Sequence, residues 1–312
     1  MPQRISDANV FANAVLSTRG TRVRLAEIQQ QITTGRRLNS IADDPQSAAR
    51  IVNVDGTLDR LQQLERNIDL ARTQTDSTEA AISQLTDVLI RIRELAVSAQ
   101  DITSPRFPQI QAEVELRFSE VLAISNTQVG GRYLFSGFAS DTPPVTQVAP
   151  LSGPGTAVAY NGDSGAIQTQ VDESSRLQIN VTARELFFGS VDGDDTADPP
   201  RVNIFDTIQD LVNRLRDPAT NGAPTDTLDA IDAALDQATQ IQGRVGAIAS
   251  RLDSTREQLS AIRVAAERER SLIQDVDIVE AITTLQSQET ALQAALGVTA
   301  RIIQPSLLNF LA

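Results

Sequence analysis

The chain has 312 residues, 41% hydrophobic but only 4% aromatic, with a net charge of −13. It has no Cys, His, Trp or Lys, so all 27 basic residues are Arg, which removes the thiolate, the imidazole base, the Schiff-base amine and most transition-metal ligands together. The acidic balance opposes nucleic-acid binding. The N-terminus lacks the apolar stretch of a secretory signal and no apolar run approaches the ~20 residues of a membrane span, so neither that export route nor membrane insertion is expected. Missing cysteines suit the cytosol and, equally, a protein exported unfolded.

In chain order, the first helix is predicted from about Asn9 to Thr33, with Phe11, Ala14, Thr18, Thr21, Leu25, Ile28 and Ile32 at three-four spacing. Gly35 stops it. Thr18 and Thr21 weaken the stripe, so this helix needs a partner to be ordered. After a turn, Asp44 reads as an N-cap with Pro45 at the first helical position, where a missing N–H costs nothing. A metal or catalytic role for Asp43 and Asp44 has no third ligand or base to support it. The second helix runs to about Gln100, with a seam at Leu64, Ile68, Ala71, Thr75, Thr78, Ile82, Leu85, Leu89, Ile92, Ala96 and Ala99. The three-three step Leu58, Leu61, Leu64 is a local stammer.

Two prolines break the chain between Asp101 and Pro108, and a third helix is predicted over about Gln109 to Val129, ending at Gly130-Gly131. From Arg132 to Arg201 the Gly, Pro, Asp, Ser and Thr content rises and short alternating stretches appear, which reads as a small β-rich insert. By pattern it touches neither seam, so exchange of about Thr142 to Pro200 for a flexible linker is expected to preserve the helices. A helix at about Asn203 to Arg216 and a Pro/Gly loop over Asp217 to Pro224 lead into a second seam. It consists of Ile231, Ala238, Val245, Leu252, Leu259, Ala266 and Ile273, interleaved with Ala234, Ile241, Ile248, Ile262 and Val276. The phase then shifts to Ile278, Ile282, Leu285, Leu292 and Leu296, and Ile302, Ile303, Leu307, Leu308, Phe310 and Leu311 stay apolar to the end.

Each seam needs a partner, and the other seam of the same chain supplies one. At ~1.5 Å per residue such stretches make rods of roughly 55 to 70 Å. The expected fold is therefore mainly α: a long antiparallel coiled-coil rod formed by both chain ends, with a small β-rich inserted domain. Its parts are terminal helices over 1–42 and 277–312, a helical rod over 43–135 and 203–276, and an insert over 136–202. Residues 1 to 40 carry Arg4, Arg19, Arg22, Arg24, Arg36 and Arg37 against Asp7 and Glu27. Residues 273 to 312 carry Asp275, Asp277, Glu280 and Glu289 against Arg301. The ends are oppositely charged, as partner helices are. The apolar tail calls for burial, and between subunits there is more to bury it than one thin helix offers.

Smaller signals point nowhere sharper. Asn180-Val181-Thr182 is a glycosylation sequon set mid-strand. Asp192-Gly193-Asp194-Asp195 with Asp198 lacks the Glu that closes a calcium loop, and Thr34-Gly35-Arg36 lacks the second Gly and the Lys of a phosphate loop. No active site, metal site or cofactor is expected. A ligand-binding surface module built on the insert and a Ser-dependent hydrolase are the competing classes.

The run Leu25 to Arg50, LAEIQQQITTGRRLNSIADDPQSAAR, and the run from Asp275 to Leu311 ending QPSLLNFL resemble the flagellin and hook-associated protein superfamily. Within it, Asp43-Asp44-Pro45 and Gly131 to Phe138, GRYLFSGF, are more similar to members at the hook-filament junction than to the filament subunit. The opening carries extra residues before Arg4-Ile5-Ser6, and Thr34 stands where a Ser is usual. The resemblance implies a non-enzymatic structural subunit of the bacterial flagellum, secreted through the flagellum's own type III channel with an uncleaved N-terminal signal. A homo-oligomeric ring would join a neighbouring hook-associated protein to flagellin-side subunits, and a cytoplasmic export chaperone would hold the C-terminal helix before export. Assembly would fall to Phe11, Leu25, Ile28, Ile32, Leu292, Leu296, Ile302, Ile303, Leu307, Leu308, Phe310 and Leu311. Flagellin itself is the alternative.

Overall fold

The computed structural model describes residues 2–100, 106–151, 153, 155–189, 201–217 and 225–311, with the side chains at 2–8, 10, 11 and 299–311 outside the description. The acidic loop at Asp192 to Asp198, most of the Asp101 to Pro108 break and most of the Asp217 to Pro224 loop also lie outside it. The chain divides into two compact units, one of Met1–Leu61 with Ala261–Ala312 (unit 1) and one of Gln62–Ser260 (unit 2).

Among the described residues there are seven helices. They are α1 (Pro2–Thr34), α2 (Pro45–Ser98), α3 (Phe107–Ser125), α4 (Ala183–Phe187), α5 (Ile204–Arg216), α6 (Thr225–Gln274) and α7 (Ile278–Leu311). Three two-stranded antiparallel sheets lie between α3 and α4: β1 (Gln128–Val129) with β2 (Arg132–Tyr133), β3 (Val145–Gln147) with β4 (Val158–Tyr160), and β5 (Gln168–Gln170) with β6 (Arg176–Gln178).

In unit 2 every predicted position of the α2 seam from Leu64 to Ala99 is buried. The two polar members need no partner outside the helix: Thr75 donates to the Ala71 carbonyl at 2.8 Å and Thr78 to that of Gln74 at 2.9 Å. On α6, Ile231, Ala234, Ala238, Ile241, Val245, Leu252 and Leu259 are buried as expected, but Ile248 is only half-buried and Ala249 takes the inner place beside it. Ile262, expected in the seam, is exposed.

Ion pairs fix how α2 and α6 run. Asp69 meets Arg256 at 3.2 Å, Arg72 meets Asp253 at 3.4 Å, and Arg93 forks onto both oxygens of Asp232. Each step forward on α2 is matched by an equal step back on α6, so the helices are antiparallel without a register slip. The pairs recur at heptad-compatible intervals, on the flanks of the apolar seam where charges normally set pairing. Within unit 1, Asp55 and Arg270 pair at 3.5 Å with the same offset.

The third helix ends earlier than its composition suggested. Gly130 and Gly131 do not cap it; both have positive φ, +60° and +79°, and form the two-residue turn between β1 and β2. Two successive left-handed residues are what a tight hairpin of this twist requires. The helix stops at Ser125 instead, where Asn126 donates from Nδ2 to the carbonyls of Leu122, 3.0 Å, and Val145, 2.8 Å.

The insert is not detachable. Val145, Ala157, Val158, Val181, Ala183, Leu186 and Phe187 belong to the same buried cluster as Leu85, Ile92, Val114 and Ala238. Phe187 stacks on Phe205 at 5.8 Å and meets Phe135 edge-on at 5.6 Å, while Phe118 meets Phe205 edge-on at 5.6 Å. Four of the chain's few aromatic rings thus join α3, the GRYLFSGF segment, α4 and α5. Two buried glutamines complete the closure. Gln209 donates to the Gly155 carbonyl at 2.7 Å and accepts from Ala157 N, and Gln237 donates to the Leu186 carbonyl at 2.8 Å and accepts from Val202 N. Short, irregular strands cannot satisfy their own backbone, so side chains from the helices do it.

Candidate assembly surface

Unit 1 is built from the chain ends, with α1 packed against α7. Both are cut off from the long helices by short breaks that lie side by side. Gly35, at φ +69°, ends α1; its carbonyl accepts from Val276 N at 3.1 Å, and Arg37 N donates to the Gln274 carbonyl at 2.7 Å. Arg36 and Asp275 form an antiparallel bridge between these bonds. The Arg37 side chain reaches further, from Nη2 to the Ile273 carbonyl at 2.9 Å. The last turn of α6 carries no basic residue of its own, so Arg37 supplies the donor that its orphan carbonyls lack.

Each break is followed by a capped helix. Asp43 Oδ2 accepts from Asn39 N and Ser40 N at 3.1 and 2.8 Å, which closes the turn. Asp44 Oδ1 accepts from Gln46 N and Ser47 N at 3.1 and 3.2 Å, and Pro45 is the first residue of α2. The hydroxyl of Ser47 donates to the other oxygen of Asp44; this bond, with that from Ser47 N, holds the carboxyl below its ordinary pKa. Asp277 does the same work for α7, accepting from Val279 N and Glu280 N at 2.9 and 3.2 Å. This cap was not singled out from the sequence; its signal is an Asp three residues before Glu280 and directly ahead of an apolar run.

The apolar residues of unit 1 are poorly covered. Among the described residues only Leu38, Val54, Leu61 and Ala281 of this unit are fully buried apolar side chains, whereas unit 2 holds the rest of the core. Leu25, Ile28 and Ile32 on α1 and Leu292 on α7 are half-buried, and Leu296 is exposed. Leu16, Val23, Leu272 and Val279 are 63, 58, 85 and 76% exposed. The side chains of Phe11, Ile302, Ile303, Leu307, Leu308, Phe310 and Leu311 lie outside the described residues. Thr18 is nearly buried and donates to the Ala14 carbonyl at 2.8 Å, so the threonine-weakened stripe makes its polar bond within the helix. Exposed apolar side chains spread along two helices in this way suit cover by another protein surface better than the enclosure of a small molecule.

Among the described residues no three acidic, His or Cys side chains converge on a possible metal position, and no helix is long and apolar enough to cross a membrane. The sequon asparagine is structural: Asn180 is buried, accepts from Ile167 N at 2.8 Å and donates to the Gly165 carbonyl at 2.8 Å, while Thr182 caps α4. It lies just past β6 rather than within a strand.

Two family models match the chain. The bacterial flagellin N-terminal helical region covers residues 5–140, and the bacterial flagellin C-terminal helical region covers residues 228–311. The chain belongs to the flagellin family. The flagellar hook-associated protein 3 of Escherichia coli strain K12 is 24% identical to it over 286 residues, 85% of this chain and 86% of that protein. The flagellin of Bacillus subtilis strain 168 is 24% identical over 289 residues, 88% of each. Among solved structures, the flagellar junction protein FlgL of Legionella pneumophila matches 72% of this chain and 100% of its own length at 18% identity, with a TM-score of 0.57. As a member of the flagellin family the chain is a structural component of the flagellum, assembling with other flagellar subunits. The two matched regions contain both strips of the uncovered surface, α1 and α7, as well as the seam helices.

Proposed function

We propose that the protein is the structural subunit that joins the flagellar hook to the filament, assembled outside the cell through the surface formed by α1 and α7. The carrying observation is the uncovered apolar face of unit 1 in a chain whose length is spanned by hook-associated protein 3. Unit 2 has a closed core with scattered exposed apolar side chains such as Leu70 and Phe138, while unit 1 buries few of its apolar side chains and leaves the rest to be covered by neighbours. In this reading 1–42 and 277–312 form the inner layer, 43–135 and 203–276 the helical body, and 136–202 the surface. Copies form a ring between a hook-associated neighbour and flagellin-side subunits, after export in which a cytoplasmic chaperone shields the C-terminal helix. The absence of cysteine fits passage as an unfolded chain, since no disulfide has to be broken.

The test is a gene deletion scored by electron microscopy. Hooks should remain, filaments should be missing, and flagellin should appear in the medium. Long filaments on the deletion strain would refute the reading. The second reading, a filament subunit, is favoured by the equally long match to the B. subtilis flagellin. It wins if the purified protein polymerises into micrometre filaments or forms the bulk of isolated ones.

A further inference from the structure

The turn after β4 carries an Asn-Gly pair, Asn161-Gly162, in a setting that demands the glycine and exposes the asparagine. Tyr160 is fixed on three sides: its ring packs on Phe188 at 5.5 Å and under the Arg184 guanidinium at 5.2 Å, and its hydroxyl donates to the Asp163 carbonyl at 2.6 Å. A Cβ at position 162 would lie 2.8 Å from that hydroxyl oxygen and 2.9 Å from the ring, so a larger residue does not fit. Asn161 is exposed, and the Gly162 N–H has no hydrogen-bond acceptor among the described residues. A backbone nitrogen followed by no side chain can reach the carbon of the preceding side-chain amide, which is why Asn-Gly is the pair most prone to deamidation.

One contact restrains the asparagine side chain. Its Nδ2 donates to the Thr146 hydroxyl of β3 at 2.8 Å, while its backbone N–H donates to the Pro144 carbonyl at 2.8 Å. Two residues on, Asp163 is tightly seated. Its Oδ1 accepts from Phe138 N at 2.7 Å and from Gly165 N at 2.8 Å, and its own N–H donates to the Ser136 carbonyl at 3.1 Å. A Cβ on Gly137 or Gly165 would collide with that carboxyl, so the seat has no slack.

We propose that Asn161 is a site of spontaneous deamidation, slowed by its bond to Thr146, and that the isoaspartate product unseats Asp163. In the first step the Gly162 nitrogen bonds to Asn161 Cγ, the Cγ–Nδ2 bond breaks, and Nδ2 leaves as ammonia with the proton that Gly162 gives up. Water then opens the cyclic imide. Opening at the Cγ side gives aspartate; opening at the backbone carbonyl gives isoaspartate, in which the main chain runs through the former side chain and is one carbon longer. Turning the amide onto the Gly162 nitrogen costs the Thr146 bond, and that cost slows the first step. An extra main-chain atom two residues before Asp163 draws its carboxyl away from Phe138 N and Gly165 N, which frees the segment that carries the exposed Phe138 ring.

The test incubates the folded full-length protein at mildly alkaline pH, with isoaspartate located by peptide mapping and counted by enzymatic methylation. Cleavage after arginine releases Tyr133 to Arg176, which holds Asn161 apart from the second Asn-Gly pair, Asn221-Gly222. Isoaspartate should accumulate at position 161 in the wild type. T146V should raise the initial rate about 2- to 10-fold, the equivalent of one ordinary hydrogen bond, and T146S should keep the wild-type rate. Thermal melts of both variants first establish that the fold is kept. Absence of isoaspartate at 161 in the wild type would overturn the site, and an unchanged or slower rate in T146V would overturn the restraint. Amide protection at Phe138 and Gly165 should fall in aged protein and stay in N161D, which has the new charge on a normal backbone. Full protection in the aged protein, or equal loss in N161D, would overturn the unseating of Asp163.

Discussion

The Arg37 guanidinium donates to the carbonyl of Ile273 at 2.9 Å, across 236 residues of sequence. This one bond fastens the turn after α1 to the last turn of α6, beside the backbone bonds of Arg37 with Gln274 and of Gly35 with Val276. Removing the side chain leaves those backbone bonds in place but deprives the α6 terminus of its cation. R37A should therefore speed amide exchange at Asp275 and Val276 about 2- to 5-fold, the range expected for a charge at an exposed helix end. R37K should recover part of the protection. Unchanged exchange in R37A would show that the backbone bonds suffice.

The Asp44 cap makes the start of α2 sensitive to acid. Its hydrogen bonds from Ser47 lower the folded-state pKa below the unfolded value. The cap's contribution is therefore complete above the ordinary carboxylate range and is lost as the pH falls through the lowered pKa. The protection factors of Gln46 and Ser47, which correct for the slower intrinsic exchange in acid, should fall on acidification in the wild type. D44A should exchange faster at neutral pH, with that extra acid step removed. A carboxyl that titrates at the ordinary aspartate value in NMR would contradict the cap.

The two units should answer mutation differently. Phe205 is almost fully buried among Phe118, Phe187 and Phe188, so F205A should cost about 3–5 kcal/mol of unit 2 stability in urea unfolding. Leu272 is 85% exposed, and L272A should change stability by less than about 0.5 kcal/mol. Similar midpoints for the two variants would mean that the aromatic cluster is not the centre of the core.

Excision of the insert should be destructive. Replacing Val145 to Phe188 with a Gly/Ser linker removes Val158, Val181, Leu186 and Phe187 from the buried cluster, leaves Gln209 without the backbone groups of Gly155 and Ala157, and takes the Leu186 carbonyl from Gln237. Buried polar groups left unpaired cost about 1–3 kcal/mol each. The thermal transition followed by circular dichroism should lose its cooperativity, and a sharp wild-type-like melt would restore the view of the insert as an appendage.

The long helices were legible because a seam repeats: Leu64 to Ala99 is buried at every position expected, and even Thr75 and Thr78 sit where the spacing puts them. The Asp44 cap was legible because Asp precedes Pro, whereas Asp277, followed by an apolar run, was not singled out. The insert's attachment was not, because it rests on single aromatic rings and on Gln209 and Gln237, which have no periodicity and look like any surface glutamine. Gly130-Gly131 misled for a related reason. A glycine pair at the end of an apolar helix pattern signals left-handed backbone but does not say whether that backbone caps a helix or turns a hairpin. The proposed assembly surface shows in the sequence as an excess of apolar residues near both ends, yet which of them face inward depends on the pairing of α1 with α7.

The charge ladder between α2 and α6 works as a combination lock for a chain that has to find its fold from an unfolded state. The apolar seam is repetitive, and a slide by one heptad would bring Leu, Ile and Ala opposite Leu, Ile and Ala again. The charged pairs are spaced unevenly, and such a slide would set Arg93 beside Thr225 or Thr239 and Arg72 beside Gly246 or Ser260 in place of their aspartates. Only one alignment satisfies Asp69, Arg72 and Arg93 together. Grease brings the two helices together, and the arginines decide where they come to rest.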